Sequence, residues 1–447
     1  MPPLGAYIAI ALIAAVGTYL LMFPIRHLAA RFGFVVAPDE MRIHKRVTPY
    51  GGGVAMFFAF LLAMLVASQL HSFQGLFQGS SEPLGLVLGA AVIFAVGTID
   101  DVRDMSAPAK MAGEVLAAMI LVFMGVTMFQ FKIPTIGFLV LSPDVTPLLT
   151  AAWVIVITNA VNLIDGLDGL AAGVVAIAAG ALAVYGLRLV YTGQLPSDNI
   201  GPLIAVIAFG VCIGFLPHNF HPARAFMGDA GALFLGLLMA AATMVIGGRT
   251  PDVSGQTYFF FAPLFIPVFI LGVPIADMAF AFVRRTAKGT GFHTRDINHV
   301  HHRLLRLGHG PRRTVVILWA WTAVLSGFVL FPVFQDQTGR TALPRANAII
   351  PFGAVALGLA LYTLFHPGLR KASLEEEDER ELTRPRPELL GSSRVPPSDG
   401  YVAAASRAPA AAKGQAPGQG RNGHGEHSGL DDDELVERPV VPNIRSG

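Results

Sequence analysis

The run LGAYIAIALIAAVGTYLLMF, residues 4–23, holds twenty residues in succession without a charge. At about 1.5 Å of rise per residue, such a run crosses a hydrocarbon core of roughly 30 Å as a single helix. No basic leader precedes it and no small-residue cleavage pattern follows, so it reads as a retained span rather than a removed signal.

Working outward, comparable apolar blocks fall near residues 5–25, 52–70, 84–99, 108–128, 147–164, 170–190, 200–216, 230–247, 258–283, 314–333 and 346–366, about eleven spans in all. Composition agrees. Of 447 residues 53% are hydrophobic and 14% charged, with a mean hydropathy of +0.58, against roughly 25% charged residues in a soluble domain. The fold class expected is an all-α polytopic integral membrane protein. The single cysteine, Cys212, lies in an apolar stretch, so neither a disulfide framework nor a cysteine-based metal site is available. Between the fourth and fifth spans, Lys132, Pro134, Gly137, Pro143 and Asp144 interrupt the apolar character and indicate a small external hairpin. After Gly368 the chain turns to Glu, Asp, Arg, Pro, Ser, Gly and Ala. A segment of that kind buries too little apolar area to offset its ordering entropy. The expected organisation is therefore a membrane domain over 1–371 and a disordered tail over 372–447.

Charge placement orients the spans. Arg26, Arg31, Arg42, Lys45 and Arg46 follow the first span, and Arg284, Arg285, Lys288, Arg295, Arg303, Arg306, Arg312 and Arg313 follow the ninth. The alternate connections are short and poor in charge. Basic loops then face the cytoplasm, the N-terminus lies outside, and an odd span count returns the tail to the cytoplasm.

Polar residues gather at the predicted cytoplasmic span ends, where acids are costly unless they meet water, a cation or each other. The third span ends in Asp100-Asp101-Val102-Arg103-Asp104, with acids opposing the helix dipole; a helix continuing that far places Asp104 on the face of Asp100 and Asp101. The fifth ends in a string from Asn159 through Asn162, Asp165 and Asp168 to Gly169, whose first three polar members recur every three residues along one flank. The eighth opens at Phe226-Met227-Gly228-Asp229, where free N–H groups suit an anionic ligand and the acid suits Mg²⁺, with an N-cap as the plainer role for Asp229. Past the ninth span stands His299-Val300-His301-His302-Arg303. Its spacing is not the i, i+4 pair of a helical zinc motif, whereas cationic and neutral donors beside Arg303 suit phosphate oxygens. Acids for a metal with Arg and His for phosphates describe phosphoryl chemistry, and no P-loop is present.

These strings, with Gly51-Gly52-Gly53, match in order and spacing a known family. The chain resembles the polyprenyl-phosphate N-acetylhexosamine-1-phosphate transferases, of the superfamily that also holds phospho-MurNAc-pentapeptide translocase, from the first span to about residue 310. The resemblance implies attack by a polyprenyl phosphate on the sugar-linked phosphorus of a UDP-sugar, giving a polyprenyl diphosphate sugar and UMP. It implies Mg²⁺, with Mn²⁺ as a substitute, on Asn162 and Asp229. Phe226, Asn219 and Asp168 would line a uridine pocket, and Lys110, Arg303, His301 and His302 would hold the diphosphate or the lipid phosphate. Asp100 and Asp101 would sit by the attacking phosphate, as base, positioning group or covalent nucleophile. Asp165 joins that catalytic set, and Asn159 and His299 the substrate-binding one. Partners implied are the UDP-sugar, polyprenyl phosphate and membrane lipid, without nucleic acid, and a homodimer is compatible. Arg303, where the pentapeptide translocases carry a third histidine, favours UDP-GlcNAc as donor. The alternatives are the pentapeptide translocase itself and, from another class, a secondary transporter, which would call for inverted repeats with helices broken at the midplane.

Overall fold

The lipid-facing stripe of the first helix shows how these apolar blocks sort themselves. In α1, Leu4–Arg31, the residues Leu4, Ile8, Leu12, Val16 and Leu20 recur every fourth position and are exposed, while Tyr7, Ile10, Ala14, Thr18 and Met22 are buried. Large apolar side chains on the outside are the pattern of a helix in contact with acyl chains; close packing is left to the other face.

The computed structural model describes residues 2–36, 48–133, 137–247, 249, 271–287, 300–335 and 349–365. After α1 follow α2 (Gly52–Gln69), a short α3 (Gln74–Gln78), α4 (Glu82–Val102), α5 (Ala107–Phe123), α6 (Val145–Ile164), α7 (Leu170–Tyr191), α8 (Gly201–Asn219) and α9 (Gly228–Gly247). Then come α10 (Gly272–Ala287), α11 (Val300–Arg306), α12 (Pro311–Gln335) and α13 (Ile349–Phe365). Each apolar block of the sequence holds a helix, and among the described residues eight helices are long and apolar enough to cross a membrane: α1, α2, α4, α6, α7, α8, α9 and α12. The protein is a polytopic helical membrane protein. The first half of the ninth block and the tail over 372–447 lie outside the described residues.

The connection between α5 and α6 contains the expected hairpin, Gln130–Ile133 paired antiparallel with Gly137–Val140. A second small pair, Val35–Val36 with Thr48–Pro49, continues into a parallel bridge from Tyr50 to Phe226. The bundle is built around α9, which is buried along its length and packed by α2, α4, α6, α7 and α8. Its Gly- and Ala-rich sequence lets neighbours approach at backbone distance. A Cβ on Gly97 of α4 would lie 2.5 Å from the Ala230 Cα, and one on Gly53 of α2 would collide with the Gly231 backbone. The same two glycines press α2 and α4 against the first turn of α9, where Asp229 stands.

Candidate active site

Helix direction alone assembles one polar end of the bundle. Asp100 and Asp101 close α4 and Asn162 lies in the last turn of α6, while Lys110 is in the first turn of α5 and Asp229 in that of α9. The α4 helix stops at Val102 because Arg103 adopts φ −143°, ψ 76°. Asp104 is thus outside the helix and does not share the face of Asp100 and Asp101.

Acids at a helix C-terminus need compensation, and each aspartate finds a different one. Asp101 accepts the N–H groups of Asp229 at 2.7 Å and Ala230 at 3.0 Å, so an acid unfavourable on its own helix caps the positive end of another. The α9 N-terminus that the sequence offers to an anionic ligand is therefore occupied by Asp101. Gly228 has φ +72°, and a Cβ there would lie 2.5 Å from the Asp101 carboxylate, which explains the glycine in Phe226-Met227-Gly228-Asp229. Asp100 accepts from the Met105 N–H at 2.7 Å and from Lys110 Nζ at 2.8 Å. Lys110 also donates to Asp229 Oδ2 at 2.5 Å, and Asn162 Nδ2 donates to Asp229 Oδ1 at 3.0 Å. Asp229 is no N-cap: it sits inside the helix with its carboxylate between a cation and an amide.

The string after α6 leaves the helix at Asp165, whose ψ of 51° ends the α conformation. Burial, and then the negative charges of Asp229, Asp101 and Asp168, push its carboxyl up to about 7. Asp168 and Asn219 latch two loops together. Asp168 Oδ2 accepts the Ala223 N–H at 3.0 Å and faces His221 Nδ1 at 2.7 Å; Asn219 Oδ1 accepts the Gly169 N–H at 2.9 Å, and its Nδ2 donates to the Ala225 carbonyl at 3.0 Å. Phe226 follows directly. Its N–H donates to the Pro49 carbonyl and its own carbonyl accepts from Gly52, each at 3.0 Å, with the ring 6.2 Å from that of Tyr50. The glycine triplet thus serves to bring a backbone strand against Phe226 and Met227.

Asn159 points elsewhere than its neighbours do. Its Nδ2 donates at 2.7 Å to Glu114, a fully buried acid of α5 one turn from Lys110. Sequence reading passed over Glu114, although an acid four residues beyond a lysine in an apolar helix is the signal by which intramembrane polar residues are found. Asp277 was passed over in the same way. It is 2% exposed on α10, and its Oδ1 accepts the Val300 N–H at 2.8 Å. Val300 begins α11, which carries His301, half-buried His302 and exposed Arg303. The structure hence joins Asp100, Asp101, Lys110, Asn162 and Asp229 by direct bonds, with Asp165 within electrostatic reach. His302 and Arg303 stand on a separate short helix, and His299 lies outside the described residues.

Chemically, the cluster sets Asp100, Asp101, Asp165 and Asp229 against Lys110, an acid surplus that invites a cation. Its donors are carboxylate and amide oxygens, which suit a hard divalent ion. Among the described residues, no three His, Cys, Asp or Glu side chains already surround one point closely enough to hold a metal.

Comparisons with known proteins place this end of the bundle in context. The model of glycosyl transferase family 4 matches residues 83–247, the stretch that supplies every bonded member of the cluster. The chain is 38% identical over 362 residues to the decaprenyl-phosphate N-acetylglucosaminephosphotransferase of Mycobacterium tuberculosis, covering 79% of this chain and 88% of that one. It is 37% identical over 378 residues to the protein of that name from Mycolicibacterium smegmatis, covering 82% and 90%. It is 36% identical to the phospho-N-acetylmuramoyl-pentapeptide-transferase of Desulforudis audaxviator over 246 residues, only 50% of this chain and 70% of the other.

Proposed function

The chain belongs to glycosyl transferase family 4, as a multi-pass membrane enzyme that transfers N-acetylglucosamine 1-phosphate to a polyprenyl phosphate, and on that premise we propose how its residues divide the work. An oxygen of polyprenyl phosphate forms a bond to the sugar-linked phosphorus of UDP-GlcNAc. The bond from that phosphorus to the bridging oxygen breaks, the oxygen keeps the electron pair, and UMP leaves. At neutral pH a phosphate monoester is largely a dianion, since its second pKa is about 6, and it needs no general base.

The observation that carries this reading is Lys110 seated between Asp100 and Asp229. An ammonium fixed by two carboxylates from different helices is placed in advance where phosphate charge accumulates, which is how phosphoryl transfer is assisted. Both oxygens of Asp101 are engaged by backbone N–H groups and both of Asp100 by Met105 and Lys110. That engagement favours direct displacement over an aspartyl intermediate: these acids position Lys110 and Asp229. Asp229 and Asn162, with Asp165 beside them, would hold Mg²⁺, which supplies charge neutralisation to the diphosphate oxygens when bound. Phe226 stacks on the uracil, on a wall that Asp168 and Asn219 tie together. His299, His301, His302 and Arg303 take the remaining phosphate oxygens, and Asn159, anchored by Glu114, borders the sugar. The basic loops put this site at the cytoplasmic face.

The test is transfer by membranes containing the protein, given Mg²⁺, polyprenyl phosphate and radiolabelled UDP-GlcNAc or UDP-MurNAc-pentapeptide in parallel, with Asp229→Asn as control. Lipid-extractable label from UDP-GlcNAc with release of UMP, abolished in the control, is expected. Label from the pentapeptide donor alone would retain the mechanism and overturn the donor, and no transfer from either would overturn both.

A further inference from the structure

The helix α11 is seven residues long, too short to persist without tertiary support. Its two ends are held differently. At the C-terminal end the Leu307 N–H bonds to the Arg303 carbonyl, the Gly308 N–H to Leu305 and the His309 N–H to Leu304, with Gly308 at φ +85° leading into α12. Leu304 is buried and Leu305 packs against the core. At the N-terminal end Val300 packs against the core, and its N–H donates to Asp277 Oδ1 of α10, 23 residues earlier.

His301, His302 and Arg303 all lie in the first turn of α11, the turn adjacent to this bond. A helix anchored at one end frays from the other. Loss of the Asp277 bond would therefore loosen that turn before the rest of the helix. A buried carboxylate is costly without a partner, and a helix N-terminus offers a well-matched one, through its unsatisfied N–H groups and its positive dipole end.

We propose that Asp277 is a positioning residue for phosphate transfer: by capping Val300 it pins the first turn of α11 to α10 and fixes where His301, His302 and Arg303 meet the substrate phosphates. The inference rests on the reading of those three as phosphate-holding residues. Asp277 touches no reacting atom; its effect passes through the helix it caps.

Two readouts separate the tether from the function. Hydrogen exchange on the purified protein in detergent should show faster exchange at Val300 and in the turn that follows in Asp277→Ala, with protection in α9 unchanged. Transfer from UDP-GlcNAc should fall about ten-fold, the scale of a lost helix cap, mostly in KM for the UDP-sugar. Asp277→Asn, which keeps a neutral acceptor for the Val300 N–H, should recover most of both. In an Arg303→Ala background, Asp277→Ala should cost little more, because the group through which it acts is gone. Unchanged exchange in Asp277→Ala would overturn the tether. Faster exchange with unchanged transfer, or losses that add fully to those of Arg303→Ala, would overturn the positioning role. Wild-type transfer by both His302→Ala and Arg303→Ala would instead remove the reading of α11 on which the inference rests, whatever the exchange data show.

Discussion

At the scale of single residues, the site is a set of acids, some compensated by a shared lysine, an amide or backbone N–H groups. Lys110 is the shared cation for Asp100 and Asp229. Lys110→Met should lower transfer at least about a hundred-fold, as removal of a preorganised electrostatic group does, and Lys110→Arg should not restore it, because a planar fork cannot replace a compact ammonium between two carboxylates; steady-state rates on purified variants would check both. Among the described residues Asp165 has no such partner, and its carboxyl is pushed up to about 7. A raised acid binds more protons in the folded state than in the unfolded one, so its stabilising effect is present at low pH and is lost as pH rises from about 4 through 7. In chelator, Asp165→Asn should be more stable than the wild type at pH 8, with the difference shrinking as pH falls and vanishing below about pH 4. Thermal melts in detergent across that range would show it, and a difference that grew toward low pH would contradict the assignment. Of these residues the aspartates and Asn162 were legible in the sequence, because charge at the end of an apolar span stands out. Glu114 and Asp277 were equally visible in principle, but they lie outside the strings that carry the family resemblance.

At the scale of elements, the site depends on how closely α2 and α4 approach α9. Gly97 leaves no room for a methyl group against Ala230. Gly97→Ala should push α4 off α9, separate Asp101 from the Asp229 and Ala230 N–H groups, and destabilise the fold by about 1–3 kcal/mol through overpacking. A lowered melting temperature together with lost transfer is the expected pair of results; lost transfer at an unchanged melting temperature would locate the glycine in the chemistry instead. Helix existence was legible from hydropathy, and every apolar block contains its helix. Helix ends were less so. The stop at Val102 is set by Arg103, whose conformation follows from Asp100 accepting the Met105 N–H and folding the chain back toward α5.

For the whole molecule, helix direction sets the carboxylate end opposite the hairpin between α5 and α6. The proposed orientation, taken from the basic loops, turns the carboxylate end to the cytoplasm. Cys212 is buried and silent to reagents, so the native chain serves as its own blank. Ser106→Cys, at the exposed start of α5, should react with a membrane-impermeant maleimide in inverted vesicles and not in intact cells, and Ser142→Cys, after the hairpin, should show the reverse. Labelling of both from one side would break the topology.

What the sequence determined by itself was the solvent and the parts: an apolar chain cut into membrane-length blocks, with acids, amides and basic residues collected at block ends in an order that names the family. Those properties are local, since the cost of leaving an apolar run in water or an acid in lipid is set by the residue and its near neighbours. Only the tertiary structure decided which polar group answers which. The Asp101 bond to the α9 backbone joins residues 128 apart, that of Asn162 to Asp229 spans 67, and that of Asn159 to Glu114 spans 45. Hydropathy places charges along the membrane normal and is blind to their azimuth around each helix. Packing sets that azimuth, through the small residues that let α9 sit at the centre of the bundle.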